Sequence, residues 1–250
     1  MKRVFGMAGR GYSQKGMLME KPKDPTIKLS SLLKEIISDS KCENCGFRMK
    51  AVSKKWCLRC IDRWSRQESC RQSPQKVIAK LVELVGDEYF HAEIEHLDAE
   101  YQKKLLTDKD IFLWGEIGVG KTYAMAALVK KYLFDGYDCE RINFDDFCSK
   151  VRSTMNNNSK MTEYELVNQL STIDKLFIDD VGLRTRQESD FAYITFYTIL
   201  NKRIECRLQT FITTNKNIEQ LAKNFDSRIA SRLGLAVNIH MEGKDRRSQK

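Results

Sequence analysis

Gly115-Glu116-Ile117-Gly118-Val119-Gly120-Lys121-Thr122 reads as G-x-x-x-x-G-K-[ST], set between a short apolar run, Asp110 to Trp114, and an apolar-periodic stretch, Lys121 to Asp135. That placement predicts a strand, a phosphate-binding loop and a helix in succession. Glycines let such a loop close on a phosphate cluster so that backbone N–H groups and the helix N-terminus face it. Lys121 then reaches the β- and γ-oxygens and Thr122 ligates Mg²⁺. All eight residues are candidates for nucleotide binding, with ATP and Mg²⁺ the expected ligands.

Working outward, strands and helices alternate. Asp138 to Phe144 is a second strand after the Asp135-Gly136 turn. Asp145 or Asp146 is expected to cap a further helix, and Thr162 with Glu165 forms a capping box that opens another. Strand Lys175 to Ile178, helix Glu188 to Ile204, strand Leu208 to Thr213, helical turns from Asn217 to Arg232 and strand Ala236 to His240 complete the series. Five strands alternating with helices imply an α/β fold, a parallel five-stranded sheet covered on both faces.

Leu176-Phe177-Ile178-Asp179-Asp180 is an apolar strand ending in two carboxylates. A buried parallel strand delivers such a pair to the carboxyl edge of the sheet, where ligands sit in this class. Asp179 is the expected Mg²⁺ ligand, and Asp180 the group that orients or deprotonates an attacking water. An Asp pair can also merely cap a turn; the phosphate loop upstream favours the catalytic reading.

The first third of the chain differs in character. Of a net charge of +9, residues 1–80 carry 19 Lys and Arg against 7 Asp and Glu, so the basic excess lies there. A polyanion would be drawn to that part through counterion release, although charge without a motif serves solubility equally well. Residues 1–26 lack apolar periodicity and read as a flexible basic arm. Thr26 to Asp39, with apolar positions from Ile27 to Ile37, suits a short amphipathic helix, and Ser73-Pro74 opens a linker helix that stops at Gly86.

Cys42-x-x-Cys45 and Cys57-x-x-Cys60, separated by eleven residues, have the spacing of a Zn²⁺ site with four thiolate ligands. In so short a segment the metal would supply folding free energy that a small core lacks. Phe47, Arg48, Lys50, Lys54, Lys55, Trp56, Arg59, Arg63, Trp64 and Arg66 interleave rings and cations around it. That suits stacking on single-stranded DNA as well as it suits docking on a protein. No run of about 18 apolar residues appears, and the basic, Gly-rich start lacks the apolar core of a secretory signal. The expectation is a cytoplasmic protein without membrane association. Its domains would be 1–26 arm, 27–72 zinc-binding module, 73–86 linker helix and 87–250 nucleotide-binding domain.

The set GEIGVGKT, LFIDDVG, FITTN and DSRIASRL resembles the initiator-clade AAA+ ATPases of the DnaC, DnaI and IstB kind, over about residues 86–250. The resemblance implies that Asn215 ends the fourth core strand as sensor 1, flanked by Thr213 and Thr214. It also implies that Arg232 acts as an arginine finger on ATP bound by a neighbouring copy, with Arg228 the second candidate, and hence an ATP-dependent homo-oligomer. The implied role is ATP-dependent loading of a replicative helicase onto single-stranded DNA; the alternative is an IstB-like transposition helper on duplex DNA. A small-molecule P-loop kinase shares the first motif but not the trans-acting Arg or the sensor Asn. Two departures stand out. Asp180 replaces the Glu of many AAA+ relatives, as is common in the helicase-loader branch. The short stretch after the last strand leaves no room for a helical lid, and no separate sensor 2 arginine is identifiable.

Overall fold

The structure, a computed structural model, describes residues 39–41, 48–50, 58–72, 74–156, 159–182, 190–224 and 227–245. The chain divides into two units, Met1–Cys57 and Leu58–Lys250. In the first, strands β1 (Asp39–Lys41) and β2 (Arg48–Lys50) pair antiparallel, with Lys41 opposite Arg48. Cys42, Cys45 and Cys57 lie outside the described residues, as does the helix expected at Thr26 to Asp39 except for its last residue, Asp39, which opens β1 instead. Among the described residues no group of three or more His, Cys, Asp and Glu is placed to hold a metal.

The second unit is the α/β body. Its sheet contains β3 (Ile111–Trp114), β4 (Cys139–Asn143), β5 (Lys175–Asp179), β6 (Gln209–Thr214) and β7 (Val237–His240). The spatial order is β4-β5-β6-β3-β7, and every pairing is parallel. The expected five-stranded parallel sheet is therefore present. β5 and β6 are buried at every residue, as central strands covered on both faces must be.

The two-residue period of the strands sorts the apolar side chains into two cores. Ile111, Leu113, Phe177 and Phe211 face one side, where α2 (Pro74–Tyr89) and α4 (Lys121–Phe134) pack. Phe112, Leu176, Ile178 and Ile212 face the other, with α5 (Phe144–Thr154), α6 (Glu163–Thr172) and α7 (Asp190–Glu205). Stacked rings of Phe177 and Phe211, 4.4 Å between centroids, lock β5 to β6. The short helices α3 (Ala99–Leu105), α8 (Ile218–Asn224) and α9 (Ser227–Leu233) complete the body.

Several local expectations meet their physical test here. The capping box is present: Thr162 Oγ1 accepts from Glu165 N–H at 3.2 Å, and the Glu165 carboxylate accepts from Thr162 N–H at 2.8 Å. The cap of α5 is corrected. Asn143, not Asp145 or Asp146, stands at the N-cap, its side-chain oxygen accepting from Asp145 N–H at 2.9 Å, because the strand hands directly over to the helix at Phe144. The helix read as a linker buries Val77, Leu81, Leu84 and Val85 in the core. Gly86 breaks its path with φ 71°, and helical residues resume to Tyr89.

Residues 58–72, grouped by sequence with the cysteine pairs, form one helix, α1 (Leu58–Gln72), packed on the α/β body. Arg63 Nη1 donates to Tyr137 Oη at 2.5 Å, Arg66 Nε donates to Gly136 O at 3.1 Å, and Arg66 is ion-paired to Asp174. A fully buried Arg203 ties α6 to β6 by donating to the carbonyls of Leu170, Ile173 and Gln209 at 2.7–2.9 Å. Among the described residues no helix is long and apolar enough to cross a membrane.

Candidate functional site

The phosphate loop runs from the end of β3 into the first turn of α4. Gly118 and Gly120 take φ of 82° and 103°, values that L side chains rarely adopt, and they turn the chain back toward the helix N-terminus. A Cβ at Gly118 would also sit 1.9 Å from Asp245 Oδ1, so the segment after β7 lies directly against the loop. Val119 is buried in the core whereas Ile117 is 61% exposed. Lys121 is buried, and its ammonium donates to the carbonyls of Gly115 at 2.9 Å and Glu116 at 2.8 Å.

Across from the loop, β5 brings Asp179 to the carboxyl edge of the sheet. Its Oδ1 accepts from the Thr213 hydroxyl on β6, and its Oδ2 accepts from Arg141 Nη2 on β4 at 2.5 Å. Asp180 adopts φ 60°, an uncommon conformation that Asp tolerates better than most side chains. Its N–H donates to Thr213 Oγ1 at 2.9 Å and its carboxylate accepts from Asn215 Nδ2 at 3.3 Å. The second carboxylate is thus held by Asn215 while both line the same cleft.

These groups line one cleft of about 640 Å³, the size of a small-molecule site. Gly118, Gly120, Lys121, Thr122, Asp179, Asp180 and Asn215 all face it, as does Ile117. Gly115, Glu116 and Val119 shape the loop without lining the cleft. Arg232 does not line it either: Nε donates to Asn201 Oδ1 and Nη2 to Tyr197 Oη, both at 3.2 Å. Arg228 lies over the same Tyr197 ring, 5.0 Å from its centroid. Cys60 is a buried residue of α1.

Four lining residues carry no motif. Glu88, Tyr89 and His91 follow the Gly86 break, and Tyr123 lies on the first turn of α4. His91 and Tyr123 rings are 5.8 Å apart, and Tyr123 Oη is 2.6 Å from His96 Nδ1. Tyr89, His91 and Tyr123 add rings to the lining of the cleft. The sequence signal for Tyr89 and His91 is a cluster of rings between a helix stop and the next apolar run; Tyr123 gives none beyond its place after the loop. Arg141 likewise belongs to no motif, yet it touches Asp179 directly.

The donor set fits a nucleotide with its divalent cation. A loop with an ammonium, the Thr122 hydroxyl and a helix N-terminus stands on one side, and carboxylates at Asp179 and Asp180 come from the end of β5.

A family model described as the bacterial DnaA ATPase domain matches residues 88–240. The replicative helicase loader DnaC of Escherichia coli strain K12 is 31% identical over 125 residues, 50% of this chain and 50% of that protein. The chain thus spans about half the length of the curated relatives it matches. A crystal structure of the DnaC helicase loader shares 19% identity at TM-score 0.52, over 62% of this chain and 99% of that one. The AMPPCP-bound DnaA from Aquifex aeolicus shares 20% at TM-score 0.54, over 60% and 50%. Both structures agree with the fold.

Proposed function

The chain belongs to the family of the bacterial DnaA ATPase domain, and from that premise we propose that it is an ATP-dependent helicase loader: an AAA+ ATPase that binds Mg-ATP, a replicative helicase and single-stranded DNA. The observation that carries the nucleotide part is the single cleft where Lys121, Thr122, Asp179, Asp180 and Asn215 converge from the loop and two strands distant in sequence. The helicase part rests on the likeness to the loader DnaC.

Each side chain has a task set by its place. Lys121 leaves the loop carbonyls to meet the phosphate oxygens, exchanging two neutral acceptors for charged ones. Thr122 and Asp179 hold Mg²⁺, which when bound neutralises charge on the phosphate oxygens. Asp180 positions the attacking water and Asn215 holds that carboxylate in place. Arg232, which does not line its own cleft, serves the nucleotide of a neighbouring copy and so makes hydrolysis depend on assembly.

The test is capture of candidate replicative helicases on the intact immobilised chain with and without Mg-ATP. ATP-dependent retention of a helicase is expected. A chain that binds ATP yet retains none of them, with or without single-stranded DNA, would defeat the loader assignment while leaving the nucleotide site standing.

A further inference from the structure

Arg141 has no place in the motifs, yet its guanidinium is ion-paired directly to Asp179, a carboxylate that lines the cleft. Asp179 is 4% exposed and both of its oxygens are engaged, one by the Thr213 hydroxyl and one by the Arg141 guanidinium. A carboxylate buried to that degree requires a counter-charge. The guanidinium supplies it at Oδ2 of the carboxylate that would hold a divalent cation. Its other contacts are not ideal. Nη1 donates to Leu84 O at 3.0 Å, while Nε is buried without a hydrogen-bond partner.

A second seat lies next to it. Arg141 also lines a separate cleft of about 560 Å³ whose walls include the carboxylates of Glu83 and Asp146 and the polar side chains of Asn143 and Ser149. Rotation toward that cleft would give the guanidinium acceptors that its present pose denies to Nε.

We propose that Arg141 is a stand-in counter-ion: it neutralises Asp179 while no metal is bound and yields the carboxylate to a divalent cation, moving toward Glu83 and Asp146. This rests on reading Asp179 as a Mg²⁺ ligand. The exchange also reaches the wall of the nucleotide cleft. Arg141 holds the Leu84 carbonyl just ahead of the Gly86 break, beyond which Glu88, Tyr89 and His91 line that cleft. Arg141 is therefore a positioning residue, acting through Asp179 and α2.

The experiment is calorimetric titration of the intact chain with ATP at a series of Mg²⁺ concentrations, for wild type, Arg141→Met, Arg141→Lys and Asp179→Asn, with thermal melts in EDTA. Removing a competing cation should lower the Mg²⁺ concentration for half-maximal ATP binding by roughly tenfold in Arg141→Met, with Arg141→Lys between. In EDTA, Arg141→Met should melt below wild type, and adding Asp179→Asn to it should restore the loss, because the uncompensated charge is then gone. Should Arg141→Met fail to fold, Arg141→Lys and the double variant carry the same test. An unchanged or raised Mg²⁺ midpoint in the Arg141 variants would overturn the exchange. If Asp179→Asn itself leaves the Mg²⁺ dependence of wild type unaltered, the metal-ligand reading fails instead.

Discussion

Thr213 Oγ1 sits between the two carboxylate residues of the neighbouring strand, donating its proton to Asp179 Oδ1 and accepting the N–H of Asp180 at 2.9 Å. One buried hydroxyl thereby fixes the side chain of one residue and the bent backbone of the next. Thr213→Val keeps the shape and removes both bonds. Leaving these groups unsatisfied should cost about 1–3 kcal/mol of stability, read from the denaturant midpoint. Mg-ATP affinity should fall with it, because Asp179 loses its orientation. Unchanged stability and affinity would show that Thr213 only fills space.

Lys121→Ala should abolish Mg-ATP binding in calorimetry, since the buried ammonium is the cation the loop itself aims at the phosphates. Asp180→Asn should bind ATP normally and hydrolyse it 10²- to 10⁴-fold more slowly, roughly the range for loss of a positioned acid or base. Normal affinity in the first variant contradicts the phosphate-loop assignment; equal turnover in the second removes Asp180 from the catalytic group.

On the proposal that Arg232 serves a neighbouring copy's nucleotide, Arg232→Ala should bind ATP, since the side chain does not line its own cleft, yet hydrolyse it poorly. Mixing it with Lys121→Ala should restore partial activity, since one mixed interface joins an intact loop to an intact finger. Loss without rescue means that Arg232 acts within its own chain, and no loss at all means that it is a structural partner of Tyr197 and Asn201.

The cysteine spacing leads to a composition measurement. Protein purified without chelator should contain a single zinc, and chelation should unfold the segment around Cys42, Cys45, Cys57 and Cys60 while leaving ATP binding intact. Metal-free protein by elemental analysis rules the site out.

Lys175 opens β5 at the opposite edge of the sheet from the cleft. It lies 4.5 Å and 4.4 Å from the ring centroids of Tyr132 and Tyr137, and burial pulls its ammonium down to about 8. With the folded value below the ordinary 10.5, the unfolded chain binds more protons between the two, so this group adds stability as pH rises from about 8 toward 10.5. Lys175→Met should flatten that rise relative to wild type in pH-dependent denaturation. Parallel curves would show that Lys175 titrates normally.

The phosphate loop, the five strands and the Asp pair were legible because each is a local pattern. A glycine spacing encodes a turn, an apolar run of four to six residues encodes a buried strand, and carboxylates after such a run fall at the sheet edge whatever the rest of the chain does. Asn215 was legible only through a resemblance, since an Asn after a strand otherwise reads as a turn former. The cap of α5 was misplaced by two residues because Asp145 and Asp146 are both good caps, and only the strand pairing of Asn143 with Asp179 shows where β4 ends.

By itself, then, the sequence determined the fold class, the loop that meets phosphates and the carboxylates that face it, all set by spacing along one segment at a time. Only the tertiary structure decided what surrounds them. Arg141 meets Asp179, 38 residues later, because β4 and β5 are neighbours in the sheet. Tyr89 and His91 share a cleft with Tyr123, and His91 meets its ring, because α2 packs beside α4. Arg232 turns to Tyr197 because α9 rests on α7. Such contacts depend on which strands and helices become neighbours. That choice follows from burying both faces of one sheet at once, and no single stretch of residues records it.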